Sequence, residues 1–446
     1  MGTEIAQASV AGAVTPAARA EARTALRAAW RALWSSRLVV LASGLVAVLA
    51  TGEGLARSPF DPGSLTRPFG AAGNLLAAPF ARWDSVWYLL IARWGYRPEL
   101  GGLTRPREAF FPLYPMAVGL IAAAGVPALL VGVAVSLASL FAALVGLHRL
   151  AALELGGLDG GGTRSRRAAE LAVLLVAFSP LAFFLSAVYA EALYLALSVW
   201  MFWLARQGRW AAAGLLGMLA AATRPTGLLL APAALILYLY GPRADHPPRR
   251  ARRLAPRYRL RPDVLWIGLI PVGTLAFCLA VGAAGGDVFG PLHAQAYWGR
   301  EFAGPFVAVW QGALAAFDGA RQLLSGQSAH VYFTAAGGSP LIAAGHNVML
   351  FAFLVVGLVC AVAAVRLLPV AYGVYVVTAL ALPLSYPVAS QPLMSIPRFL
   401  LTLFPLFIWA GWRLAPYRRG AIAVLVASGG LLALLTGEFA TWHWVA

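Results

Sequence analysis

Lysine is absent from this chain: all 34 basic positions are arginine. That bias reads as the codon usage of a GC-rich bacterial genome more than as a functional demand. Charge of either sign is also scarce. Only 11% of the 446 residues are charged, against roughly 25% in a soluble domain, which argues against an ordinary water-soluble globule. Cysteine occurs twice, at Cys278 and Cys360, both inside apolar runs, so a disulfide framework is not expected. The six histidines, His148, His246, His293, His330, His346 and His443, are dispersed without metal-ligand spacing, and no metal or other cofactor is expected. His293 and His346 fall on the expected outer side, more as satisfied interfacial residues than as site residues. No cleavable signal peptide is expected either: the first 36 residues are Ala/Arg-rich and polar, and the first apolar run is expected to anchor the chain.

What the chain has instead is apolar length. It is 61% hydrophobic with a mean hydropathy of +0.76. Apolar runs of about 17–25 residues recur from Arg37 to the last residues, as membrane-spanning helices require. The expected fold class is an all-α polytopic membrane protein. The net charge of +17 raises the question of nucleic acid. Its distribution points elsewhere, because the arginines cluster between apolar runs as the positive-inside rule predicts. The most basic stretch, "RADHPPRRARRLAPRYRLRP" (Arg243 to Pro262), reads as a cytoplasmic loop near anionic headgroups. Membrane lipids, not nucleic acid, are the expected partner of these arginines.

Placing the basic clusters inside yields about eleven spans. They fall near Leu38–Gly54, Ala128–Leu150, Ala168–Val188, Ala190–Ala205, Trp210–Thr223, Thr226–Tyr240, Val264–Gly285, Asn347–Val365, Val370–Ser385, Phe399–Trp412 and Ala421–Gly437. The N-terminus, with Arg19, Arg23, Arg27, Arg31 and Arg37, is then cytoplasmic and the C-terminus outside. The division is a cytoplasmic segment 1–36 and a transmembrane domain 37–446. Its long connections are an outer loop at about 55–127, the basic inner loop 242–262 and a second outer loop at about 286–345. The proline-limited run Phe110–Pro127 reads as a re-entrant or interfacial helix, since a full span there would place Arg164–Arg167 outside. The apolar segment Gly286–Gly345 predicts short amphipathic helices on the membrane face.

The first outer loop carries Glu53, Asp61, Asp84, Glu99 and Glu108. Asp84 stands in "RWDSVWYLLIARWGY", Arg82 to Tyr96. On a helical wheel Trp83, Trp87, Leu90 and Trp94 form one stripe, the pattern of a helix lying in the interface. Asp84, Tyr88, Ile91 and Gly95 form the neighbouring stripe, with Gly95 leaving room for something to approach. Asp84 has two readings: a helix N-cap, or a group facing a ligand.

"RWDSVWYLLIARWGY" followed by "AFFPLYP" resembles the first outer loop of the PIG-V-like mannosyltransferases, the GPI mannosyltransferase 2 family with its bacterial relatives. These are polytopic glycosyltransferases of the GT-C class. The resemblance continues through "SPLAFFLSAVYAEALYLALS" (Ser179–Ser198), "ATRPTGLLL" (Ala222–Leu230) and "SIPRFLLTLFPL" (Ser395–Leu406). It implies a GT-C type fold and an inverting transfer of mannose from a polyprenyl-phosphate mannose donor to an acceptor hydroxyl on a lipid or glycan. The site would lie on the outer face of a bacterial cell membrane, and no metal is implied. By motif position Asp84 is the general base, and Glu191 is a second acidic residue of the site. Past Leu406 the likeness is loose.

The chemistry of the residues agrees. A hydroxyl is a poor nucleophile, so attack gains from a carboxylate that takes its proton. A leaving phosphate needs cationic donors, for which the planar fork of arginine is suited. Arg224, between two short apolar segments, and Arg398, at the start of a span, are the candidates; snorkelling to the interface is the competing explanation. Glu191, with Tyr189 and Tyr194 nearby, either binds acceptor or sugar or caps its helix. Tyr88 and Tyr189 complete the expected substrate contacts. A secondary transporter or lipid-linked sugar flippase, or a polysaccharide polymerase or ligase, remains the alternative. A transporter places its ionisable groups near the midplane on broken helices, whereas most acids here gather in the first outer loop.

Overall fold

A computed structural model describes residues 16–54, 57–61, 63–67, 70–97, 107–248, 255–326 and 339–445. Glu99, His330 and the basic-loop arginines Arg249, Arg250, Arg252 and Arg253 lie outside the described residues. Among the described residues regular structure is helical, apart from isolated bridges joining Arg300 to Val388 and Val388 to Gln391. The main helices of the first half are α1 (Pro16–Thr51), α2 (Ser85–Trp94), α3 (Leu113–Ala122), α4 (Ala128–Asp159), α5 (Thr163–Ala177), α6 (Glu191–Arg206), α7 (Trp210–Ala221) and α8 (Leu230–Tyr240). Those of the second are α9 (Leu269–Ala283), α10 (Pro305–Ser325), α11 (Pro340–Leu367), α12 (Val370–Leu384), α13 (Ile396–Leu401), α14 (Phe404–Leu414) and α15 (Arg418–Ala440).

Among the described residues five helical stretches are long and apolar enough to cross a bilayer: Ala18–Thr51, Ala128–Asp159, Pro262–Ala283, Pro340–Leu367 and Arg418–Ala440. The other six expected spans are realised as shorter helices. α7, for example, has 12 residues and α14 has 11, well below the roughly 20 that a hydrocarbon core requires. The reason is local. Pro180 follows the end of α5, Pro225 opens a 3-10 turn between α7 and α8, and Pro383 lies in the last turn of α12. Backbone broken in this way at membrane depth is tolerated where protein buries it or it lines a cavity. The irregular stretches Thr223–Leu229 and Ser385–Ser395 line one cavity, and Ser179–Ala190 leads into Glu191 on its wall, which is what places the site.

Arg37, expected in the cytoplasmic cluster, has its side chain enclosed by protein. Its guanidinium donates to the Ala177 carbonyl at 2.9 Å, the Ala182 carbonyl at 2.7 Å and Ser186 Oγ at 2.8 Å. It therefore satisfies carbonyls left open where α5 stops. α1 runs through the expected boundary at residue 36 without interruption. Cys278 and Cys360 are both free thiols.

The helix that follows Asp84 also differs from expectation. Ser85 to Ile91 are all buried and Asp84, Trp94 and Gly95 half-buried, so protein covers most of both wheel stripes of α2. α3, only 10 residues long, packs against it: a Cβ at Gly119 would sit 2.5 Å from the Ala92 carbonyl oxygen, so the two backbones touch. Gly95 ends α2 with φ +67° rather than opening space beside Asp84. In the 286–345 segment two short helical pieces, Gly290–His293 and Ala294–Trp298, are followed by the longer, 21-residue α10. Its small-residue face packs on α11 and the 388–394 turn, while Phe306, Trp310, Phe317 and Leu324 are exposed; residues 327–338 of that segment lie outside the described residues.

Candidate active site

Asp84 occupies the N-cap position of α2, yet its side chain makes no capping hydrogen bond. Its Oδ2 instead accepts from Arg398 Nη1 at 2.6 Å, across 314 residues of sequence. The backbone N–H of Asp84 donates to the Tyr189 hydroxyl at 3.1 Å, and that hydroxyl donates to the Arg82 carbonyl at 3.1 Å. Tyr189 is thus buried behind Asp84, holding its backbone, and is not part of the cavity wall. This is a different place from the substrate contact expected of it.

Glu191 is the first residue of α6, with its side chain 2% exposed. Its Oε1 accepts from Arg224 Nη1 at 2.7 Å and lies 3.2 Å from Arg398 Nε. Four ionised side chains therefore alternate in sign as Asp84, Arg398, Glu191 and Arg224. Such mutual pairing offsets part of the cost of holding charges away from bulk water. Glu191 Oε2 is buried and has no hydrogen-bond partner among the described residues. A buried carboxylate oxygen left in that state is suited to accept from a ligand hydroxyl or a water. Aromatic faces complete the setting. The Arg398 guanidinium lies 5.6 Å from the ring centres of both Phe184 and Tyr189, and that of Arg224 lies 5.4 Å from Phe399.

The four groups line a cavity of about 780 Å³, within the size range of small-molecule sites. Tyr88 lies on its wall as expected, beside Trp87, Phe110 and Trp298. The Trp87 and Phe110 rings stack at 5.6 Å, with Trp298 edge-on to both. Asp84 is the more accessible carboxylate, its side chain 21% exposed against 2% for Glu191. One wall is thus a hydrogen-bonding, charged strip, and the rest is mostly apolar and aromatic. That arrangement can orient an anionic group against the arginines while an apolar chain occupies the remainder.

Among the lining residues that do not stand out in the sequence, Arg300 and Trp444 matter most. Arg300 donates from Nη1 to the Tyr386 carbonyl at 3.1 Å and from Nη2 to the Met394 carbonyl at 3.3 Å, and it adds a third guanidinium to the cavity. Burial pushes it down to about 10, the Arg398 charge acts in the same direction and Asp84 opposes them, so it stays charged at neutral pH. A lone arginine in "HAQAYWGREF" was its only signal in the sequence. Trp444 had none, because it lies past Leu406. The two histidines considered for the site are elsewhere: His293 pairs with Asp287 at 2.6 Å, and His346 lies 3.7 Å from Glu438.

The fold and cavity define a polytopic all-α membrane protein with a charged strip set into an apolar hollow. Residues 64–238 match the family model described as Mannosyltransferase (PIG-V), and over that segment the chain is PIG-V-like. It is 36% identical over 186 residues to GPI alpha-1,6-mannosyltransferase 2 of Rattus norvegicus, covering 38% of this chain and 34% of the relative. With GPI alpha-1,6-mannosyltransferase 2 of Mus musculus it is 36% identical over 178 residues, 36% of this chain and 33% of that one. The chain thus matches about a third of the length of these relatives. No solved structure matches it. Asp84, Tyr88, Tyr189, Glu191 and Arg224 fall inside the matched segment. Arg398, in the "SIPRFLLTLFPL" motif, falls outside it.

Proposed function

We propose that the protein is an inverting mannosyltransferase of a bacterial cell membrane. It takes mannose from a polyprenyl-phosphate donor and delivers it to an acceptor hydroxyl, on a lipid or glycan, at the outer face. The observation that carries this reading is the alternating strip Asp84, Arg398, Glu191, Arg224 along one wall of a largely apolar cavity. The PIG-V likeness of residues 64–238 supports mannose as the sugar.

In this reading the acceptor oxygen attacks C1 of the sugar and its proton passes to Asp84. The new C1–O bond forms on the face opposite the phosphate. The C1–O bond to phosphate breaks, its electron pair leaves with the polyprenyl phosphate, and a single displacement inverts the anomeric centre. Arg398 and Arg224 donate charge-assisted hydrogen bonds to the phosphate oxygens as charge builds there. When phosphate draws Arg398 away from Asp84, the carboxylate oxygen it had occupied is left free to accept the acceptor's proton. Glu191 keeps both guanidinia in place through Oε1 and leaves Oε2 for a hydroxyl of sugar or acceptor. Tyr88 packs its ring against the same space.

The test is incubation of purified protein in detergent, with no gradient, with labelled polyprenyl-phosphate mannose and a membrane lipid extract. A mannosylated product of inverted anomeric configuration is expected. Lipid-linked sugar crossing a reconstituted bilayer without any product would replace this reading with a flippase or transporter. Extended glycan products would replace it with a polymerase or ligase. For the side of the membrane, single-cysteine labelling should reach Gly299→Cys from outside and Gly160→Cys only from inside.

A further inference from the structure

We propose that the segment Thr441–Val445, which follows α15, is a clamp that sets the geometry of the Asp84–Arg398 pair, with Trp444 as its working residue. The proposal rests on the reading of Asp84 as the base. Both residues just before Asp84 are held by this part of the chain. Arg82 Nε donates to the Ala440 carbonyl at 2.9 Å, and its guanidinium lies 5.2 Å from the Trp442 ring centre. Trp83 Nε1 donates to the His443 carbonyl at 3.2 Å. The Trp83 ring stands edge-on to Trp444 at 5.1 Å and tilted against Trp442 at 5.9 Å.

Trp83 needs such support, because its φ of +56° lies in a region that bulky side chains rarely adopt. That turn immediately precedes Asp84, whose side chain meets Arg398 and makes no cap at the α2 terminus. On the other side Trp444 Nε1 donates to Gln391 Oε1 at 3.3 Å, and Gln391 is buried. The Gln391 carbonyl accepts from the Met394 N–H at 2.9 Å, one residue before Ser395. Ser395 has φ +68° and starts α13, which carries Arg398. Trp444 therefore stands between two strained turns, one leading to the carboxylate and the other to the guanidinium. Thr441, Trp442 and Val445 are buried, which anchors the segment on both sides of Trp444. Trp444 is a positioning residue in this account: it acts on Asp84 and Arg398 through the turns that carry them.

The experiment uses the full chain in detergent as Trp444→Ala and Trp444→Phe, each alone and combined with Asp84→Asn. Transfer and thermal unfolding are both measured. Trp444→Ala should lower turnover at saturating donor by about tenfold or more, as expected for a slightly misplaced reacting group, and change donor KM less than about threefold. Trp444→Phe, which keeps a ring against Trp83 but lacks the N–H, should fall between the two and carries the test if the alanine variant does not fold. Coupling is read from the loss of thermal stability caused by Asp84→Asn. That loss should shrink by about half or more in the Trp444 variants, since residues acting through one pair are not additive. Equal losses in both backgrounds, or unchanged turnover in both Trp444 variants, would overturn the clamp. The thermal cycle needs no activity, so a normally active Asp84→Asn protein would defeat the base assignment while the cycle still decides the clamp.

Discussion

Residues 64–238 and the chain after them equip the same cavity with opposite charges. The first segment brings two carboxylates and one guanidinium, Asp84, Glu191 and Arg224; the later chain brings Arg300 and Arg398. Arg398 meets both carboxylates, Asp84 at 2.6 Å and Glu191 at 3.2 Å, so the strip exists only when the two regions pack together. The PIG-V likeness thus covers the proposed base but only one of the three cavity arginines. Homology over part of a chain can carry half of an electrostatic arrangement, and the remainder must be read from the folded molecule.

The largest test of that division is Asp84→Asn. Because Asp84 does no capping through its side chain, asparagine should leave expression and fold in place, with a lower unfolding temperature from the weakened pair with Arg398. Transfer should drop by about 10²–10⁴-fold, the usual loss with a general base. Asp84→Glu should also be severely impaired, since an added methylene misplaces the carboxylate. Normal turnover by Asp84→Asn would remove the first region's claim to the chemistry.

Glu191→Ala should act on stability first, because it leaves Arg224 and part of Arg398 without their shared carboxylate. Breaking a buried pair in this way costs about 3–5 kcal/mol, and thermal unfolding in detergent would measure it. An unshifted unfolding temperature would mean that the arginines find other partners. Arg398→Ala tests the later region. Losing one charged hydrogen bond to the donor should cost about 1.5–3 kcal/mol, seen as a higher donor KM with acceptor KM nearly unchanged. Arg398→Lys should recover only part of this, for want of the planar fork. The contact between the regions is probed most mildly at Gly411, where a Cβ would lie 2.4 Å from the Ala168 carbonyl oxygen. Gly411→Ala should cost about 1–3 kcal/mol of stability through overpacking, with KM values unchanged in the protein that remains folded. A neutral result would show that α14 and α5 can separate without disturbing the site.

Much of this was legible in the linear chain. Asp84, Glu191, Arg224 and Arg398 stand out because an ionisable side chain in an apolar setting is costly and needs a reason. What went astray were statements that depend on which neighbours arrive. Wheel periodicity made α2 an interfacial helix because amphipathicity reports which residues share a face. It does not report whether a second element, here α3 on one side, covers the other face. The burial of Arg37 was hidden because the carbonyls it satisfies belong to residues 140 or more positions away.

Composition, apolar run length and the scarcity of charge by themselves determined that this is an all-α polytopic membrane protein. They did so because hydrocarbon admits only backbone that bonds to itself. Local motifs by themselves singled out the ionised residues. Only the tertiary structure decided that Asp84 turns from its helix to Arg398, that Tyr189 supports it from behind, and that Arg300 and Trp444 join the cavity. Hydrogen bonds and ion pairs a few ångströms long depend on atoms brought together in space, and these partners lie as many as 360 residues apart.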